Sequence, residues 1–206
     1  MPNILNETQI ANIALSHLAG KQLVDKNMDS SIEANLVNLY WDMSLLEVLR
    51  AGDWRFASKE IELTPSDEKS AVWGYVYVYP DDCVAVREII DPRKTAAGVA
   101  AVKIPFEIGL NAEGDGYLIY CDVEGATARY ISLVHSVMLW PPEFVNVFAL
   151  RLAYNMAFPL SQKEQTKNTI YQLYLQALNQ ALATSMSEGY RKFSFTSDVL
   201  NARRTS

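Results

Sequence analysis

The sequence predicts an α+β fold: a four-helix bundle formed by N- and C-terminal helix pairs, an inserted small antiparallel β-domain, and an extended C-terminal tail. Three observations carry this expectation. Apolar residues recur with helical spacing near both ends of the 206-residue chain. The middle switches to a period of two, with turn residues between short runs. After Gly189 both rhythms stop and aromatic residues interleave with basic ones. The boundaries fall at 1–53 and 135–189 for the discontinuous helical bundle, 54–134 for the β-domain and 190–206 for the tail.

The first helix is predicted over 7–19, with Asn6 placed to cap it and Gly20 to end it. Ile10, Ile13, Ala14 and Leu18 form its apolar stripe, and a polar link over 21–29 follows. The second helix is predicted over 31–51, opened by a Ser30/Glu33 capping box and stopped by Gly52. It carries two stripes: Ile32, Leu36, Leu39, Tyr40, Met43 and Leu46 on one, Val37, Trp41, Leu45 and Val48 on the other. Two stripes need two partners. The simpler assignment, which the sequence favours, makes this the central helix of its own bundle. The sharper one gives one stripe to a neighbouring subunit.

Strands are predicted over 55–63, 75–79, 83–90, 102–110, 117–121 and 127–134. Pro80-Asp81-Asp82 and residues 111–116 have turn chemistry, and the small, polar link over 91–101 is expected to be a loop. Pro141-Pro142 opens a third helix over 143–157, apolar all round and ended by Pro159. The fourth is predicted over 162–186 with a second capping box, Ser161/Glu164. Ile170, Leu173, Tyr174, Ala177, Leu178, Ala181 and Leu182 lie on one of its faces. The other carries Gln165, Asn168, Gln172, Gln176, Asn179 and Gln180, with hardly any charge. An amide costs less to dehydrate than an ion. This face is therefore expected to pack against another subunit.

Half of the residues are hydrophobic and 20% are charged, enough for a real core. The net charge of −6 argues against a protein that coats nucleic acid by neutralising phosphates. In the tail Arg191, Lys192, Arg203 and Arg204 stand against Asp198, a balance of +3 that leaves −9 for the rest. A basic tail on an acidic body suits an acidic partner. With Tyr190, Phe193 and Phe195 among those charges, the tail reads as an exposed anchor, the alternative being that it folds back on its own bundle. Two cysteines make no disulfide framework. The N-terminus lacks signal-peptide character, and no apolar run reaches the roughly 18 residues that span a bilayer. The expectation is a soluble protein made in a reducing cytosol, with no membrane partner.

The candidates for chemistry are few. His17 and His135 are the two histidines, and Cys83 with His135 would make a nucleophile–base pair of a cysteine-dependent hydrolase. No glycine-rich elbow and no orienting partner flank them, so Cys83 reads better as a small buried strand residue. No zinc spacing is present, Asp81-Asp82 with Asp91 lacks the ligand rhythm of a calcium loop, and Gly114-Asp115-Gly116 precedes no helix. No catalytic residue, cofactor or metal is expected, and so no enzyme.

Several segments share an order and spacing: Ala11, Leu15, Leu18 and Gly20; Asp29-Ser30-x-x-Glu33-Ala34; and Asp53-Trp54-Arg55-Phe56-Ala57. The most specific is Trp73-x-Tyr75-x-Tyr77-x-x-Pro80-x-Asp82-Cys83. Tyr130-Ile131, Trp140-Pro141, Phe144 and Leu150-x-Leu152-Ala153 complete the series. Together they resemble the adaptor proteins of short-tailed phages, the tail tubular protein A or head-to-tail connector family, over nearly the whole chain.

The resemblance implies a homo-oligomeric ring, typically of twelve copies, docked below the portal protein at the capsid vertex. The tail nozzle protein would bind its other side. The ring extends the DNA channel and retains the packaged genome without sequence-specific contact. The protein would be assembled in the host cytoplasm and would reside in the neck of the virion. By the same resemblance Tyr190, Arg191, Lys192, Phe193, Phe195, Arg203 and Arg204 would bind the portal. Another neck protein, a stopper or terminator of long-tailed phages, is the alternative ring reading.

Overall fold

The computed structural model describes residues 5–94 and 103–187. It contains four α-helices and two small antiparallel sheets, a mixed α+β fold in the predicted order.

Helix α1 spans Glu7–Ser16. The Asn6 side chain accepts from the Gln9 amide at 2.8 Å, and the Gln9 side chain accepts from the Asn6 amide at 2.9 Å, a complete capping box. The helix stops short of 19 because Ala19 turns to φ 51 and the Gly20 amide reaches back to the Leu15 carbonyl at 3.1 Å. Helix α2 spans Ile32–Ala51 and ends at Gly52 as expected. Its cap is Ser31, whose hydroxyl accepts from the Ala34 amide at 3.3 Å, and not Ser30. Glu33 accepts from the Lys21 amide instead of closing a box.

Helix α3 spans Pro142–Ser161 and runs through Pro159, which the sequence reading made its end. A proline removes its own donor, not those of its neighbours. The last turn is held by the Ser161 hydroxyl donating to the Ala157 carbonyl at 2.6 Å, and by the Gln162 amide donating to Phe158 at 3.0 Å. Gln162 takes the left-handed conformation that closes such ends. Ser161 is thus occupied in α3, and the expected second capping box does not form. Helix α4 spans Glu164–Ser187.

Between the helix pairs lie β1 (Ser58–Glu62), β2 (Tyr75–Val78), β3 (Cys83–Ile90), β4 (Phe106–Leu110), β5 (Tyr117–Cys121) and β6 (Thr127–Ser132). One sheet has the order β1-β6-β3 and the other β2-β5-β4, all pairs antiparallel. Residues 55–57, read as strand, form a short 3-10 turn.

Two cores result. The larger gathers Trp41, Trp54, Trp140, Phe144 and Phe148 where α3 meets α1 and α2, and reaches Ile170, Tyr174 and Ala181 on α4. The smaller lies between the sheets around Tyr77, Ile89, Ile119, Cys121 and Tyr130. Two arginines cross from one region to the other. Arg50 donates to the Val84 carbonyl at 3.0 Å, and Arg87 donates to the carbonyls of Gly52 at 2.6 Å and Arg50 at 3.1 Å. Helix α4 comes so close here that a Cβ on Gly52 would lie 2.1 Å from a Leu182 methyl, which is why glycine stands at this position.

The 73–83 segment, the most specific part of the resemblance, does structural work. Trp73 donates from its indole to Glu107 at 3.1 Å. The Cys83 amide closes the turn onto Pro80 at 2.9 Å. Asp82 pairs with Lys59 on β1 and accepts from the Tyr130 hydroxyl on β6 at 2.8 Å. The buried Tyr77 hydroxyl donates to the Val123 carbonyl at 2.6 Å and accepts from the Ala126 amide at 3.3 Å. Tyr77→Phe leaves the Ala126 amide without this acceptor and the Val123 carbonyl with only the weak Cys121 thiol donor at 3.8 Å, and is expected to cost about 2 kcal/mol. A chemical-denaturation midpoint measures this, and an unchanged midpoint would show that water replaces the hydroxyl.

Candidate subunit interface

Helix α2 has one covered stripe and one open one. Val37, Trp41, Leu45 and Val48 are buried, with the small residues Ala34 and Ser44 between them letting α3 approach. Trp41 is pinned further by Lys26, whose Nζ lies 4.2 Å above its ring and 3.0 Å from Glu7. The opposite stripe faces outward: Ile32 is 70% exposed, Leu39 67%, Met43 44% and Leu46 41%. Leu36 and Tyr40 sit half-buried at its edge. Among the described residues this stripe stays open, which departs from the expectation of a central bundle helix with both stripes covered: α3 packs along the other side of α2.

On α4 the line Ile170, Tyr174, Ala181 and Ser185 is buried. Leu173, assigned to that face, is 42% exposed, because it lies one position off the fourfold spacing of the buried line. Gln165, Asn168, Gln172, Gln176 and Asn179 are all exposed, on the side away from the core. Tyr190, Arg191, Lys192, Phe193, Phe195, Arg203 and Arg204 lie outside the described residues.

Sequence reasoning missed the approach to α2. The 21–29 link was read as polar, yet Val24 and Met28 are almost fully exposed. The signal available was only the presence of Val24 and Met28 themselves, since Met28 lies in a turn before α2 begins.

Cys83 lines an open groove of about 560 Å³ with Arg50, Tyr79, Asp81 and Tyr117. Burial pushes its thiol up, so the sulfur keeps its proton at neutral pH. The side chains that bear on it are Tyr79, Asp82 and Arg50, while His135 is exposed beyond the end of β6. Among the described residues no three His, Cys, Asp or Glu side chains form a metal-ligand group, and no helix is long and apolar enough to cross a membrane. No protein-family model matches the chain, and a comparison with characterised proteins finds no match.

Proposed function

We propose that this chain is a structural ring protein of a phage particle, the adaptor between portal and tail nozzle. The observation that carries the reading is the open apolar stripe of α2, which the described residues leave uncovered. Isolated exposed hydrophobics are ordinary, but a stripe along one helix marks an association surface. The uncharged face of α4 supports the same reading, as does the placement of two helices before the sheets and two after them. In this reading the four helices form the bundle and the sheets form an inserted domain facing the nozzle. The basic, aromatic 190–206 segment docks on carboxylates and pockets of the portal. An acidic body keeps the channel wall from gripping the DNA that passes. The chain acts by assembly, without catalysis.

The test is to mix the purified protein with the portal ring encoded by the same genome and image the product by electron microscopy. A new coaxial ring below the portal, lost when residues 190–206 are deleted, is the expected result. No added density across a range of salt concentrations would remove the adaptor reading and favour a later-joining neck protein.

A further inference from the structure

The open faces of α2 and α4 share one rhythm. On α2 the stripe residues Ile32, Leu36, Leu39, Met43 and Leu46, exposed except for the half-buried Leu36, are separated by steps of four and three in alternation. On α4 the exposed Gln165, Thr169, Gln172, Gln176, Asn179 and Ala183 follow the same steps. Alternating steps of four and three are the seam of helices that pack side by side at a shallow angle. At about 1.5 Å per residue the α2 seam is about 21 Å long and the α4 seam about 27 Å, so the second is long enough to cover the first.

We infer that the α2 seam of one copy is covered by the α4 seam of the next. The pairing rests on the ring reading for its closure, though not for its contacts. Charge chooses between this arrangement and two copies meeting α2 to α2. On α2 the acids Glu33 and Asp42 flank the stripe, while Glu47 is paired with Arg151 on α3 and Arg50 donates to Val84; on α4 Glu164 and Lys167 cancel. Like pairing of α2 therefore sets acid against acid, and the cross pairing does not. Pairing α4 with α4 would cover amides with amides and leave the apolar stripe in water. In the cross pairing the glutamine methylenes lie on Leu39 and Met43. Their amide heads reach the rim, where Asn35 and Asp42 flank the stripe as hydrogen-bond partners. Because the two seams belong to different helices of one chain, the contact is heterologous and repeats from copy to copy until it closes.

The experiment uses full-length protein with Cys83→Ser, carrying either Leu39→Cys or Gln172→Cys, and a short bismaleimide. Both positions are exposed, so neither change disturbs the core. Samples are treated free at high concentration and on the portal ring. Cross-linked dimer is expected only when the two proteins are mixed, with a ladder of higher species when both changes are in one chain. Self-linking of the Leu39→Cys protein alone would overturn the pairing in favour of α2 on α2. Portal binding without mixed cross-links would overturn the pairing and leave the adaptor reading standing. Mixed cross-links without portal binding would do the reverse. As an independent readout, Leu39→Glu is expected to weaken association at least about tenfold with the melting temperature unchanged. The affinity of the wild type should change little with salt, because the seam is uncharged.

Discussion

Trp140→Ala should bring the protein to the edge of unfolding. Trp140 is fully buried, with ring centres 6.3 Å from Trp41, 5.1 Å from Phe144 and 4.9 Å from Phe148. Its indole also donates to the Val134 carbonyl at 2.9 Å, at the point where the chain returns from β6 to α3. Truncating a buried tryptophan costs about 3–5 kcal/mol, and the orphaned carbonyl adds about 1 kcal/mol. Domains of this size have about 5–15 kcal/mol in total. The urea midpoint should therefore fall steeply with an unchanged slope, while Trp140→Phe should retain most of the packing and lose the indole donor. A loss below about 2 kcal/mol for the alanine variant would mean that the three neighbouring aromatics repack around the gap.

The second large effect is expected at Arg151. Its Nε donates to Glu47 at 2.7 Å, and its guanidinium lies 5.0 Å from the Tyr154 ring and 5.4 Å from the Tyr174 ring, tying α2, α3 and α4 together. Arg151→Met keeps the apolar stem and removes the charge. Glu47 then retains the Asn155 amide at 3.1 Å as its partner. Breaking a fully buried pair costs about 3–5 kcal/mol, but the Glu47 side chain is 35% exposed, so about 2 kcal/mol is expected here.

The same pair gives a pH signature. The Arg151 hydrogen bond holds the Glu47 carboxyl below its ordinary value of 4.5. A carboxylate that ionises more readily folded than unfolded contributes its stability above the unfolded value, and loses it as pH falls through the folded one. Wild-type stability should thus decline below about pH 4.5, and both Arg151→Met and Glu47→Gln should flatten that limb of the profile. Parallel acid limbs in all three proteins would place the titration elsewhere.

Elements with local signals were legible in the sequence. Asn6, Gly52 and Pro142 act within a few residues of themselves, and they bound the helices as expected. The alternation Tyr75, Tyr77, Tyr79 likewise announced β2, although Tyr79 falls beyond its end. What depends on tertiary packing was harder to read. The two stripes of α2 have equal spacing and similar hydrophobicity, so periodicity alone does not say which one α3 covers. The inner stripe is distinguished by Ala34 and Ser44, whose small side chains allow close approach. The misplaced caps have a simpler cause. In the Ser30-Ser31 doublet a one-residue shift changes the partner, and Ser161 was already inside the preceding helix. The amide-rich face of α4 was legible because composition alone marks it, and its residues are exposed. Their partner was left open, because pairing two surfaces requires knowing which of them the fold leaves free.

The exchange of carbonyls between Arg50 and Arg87 has a mechanical consequence. Without it, the β-region would be tied to the helices by two covalent connections, one from Gly52 to β1 and one from β6 to α3. With it, three hydrogen bonds pointing in opposite senses clamp the strand to the helix end. A rotation in either direction loads at least one of them, and they share the load in parallel. The β-region is therefore expected to turn together with the end of α2 rather than independently of it.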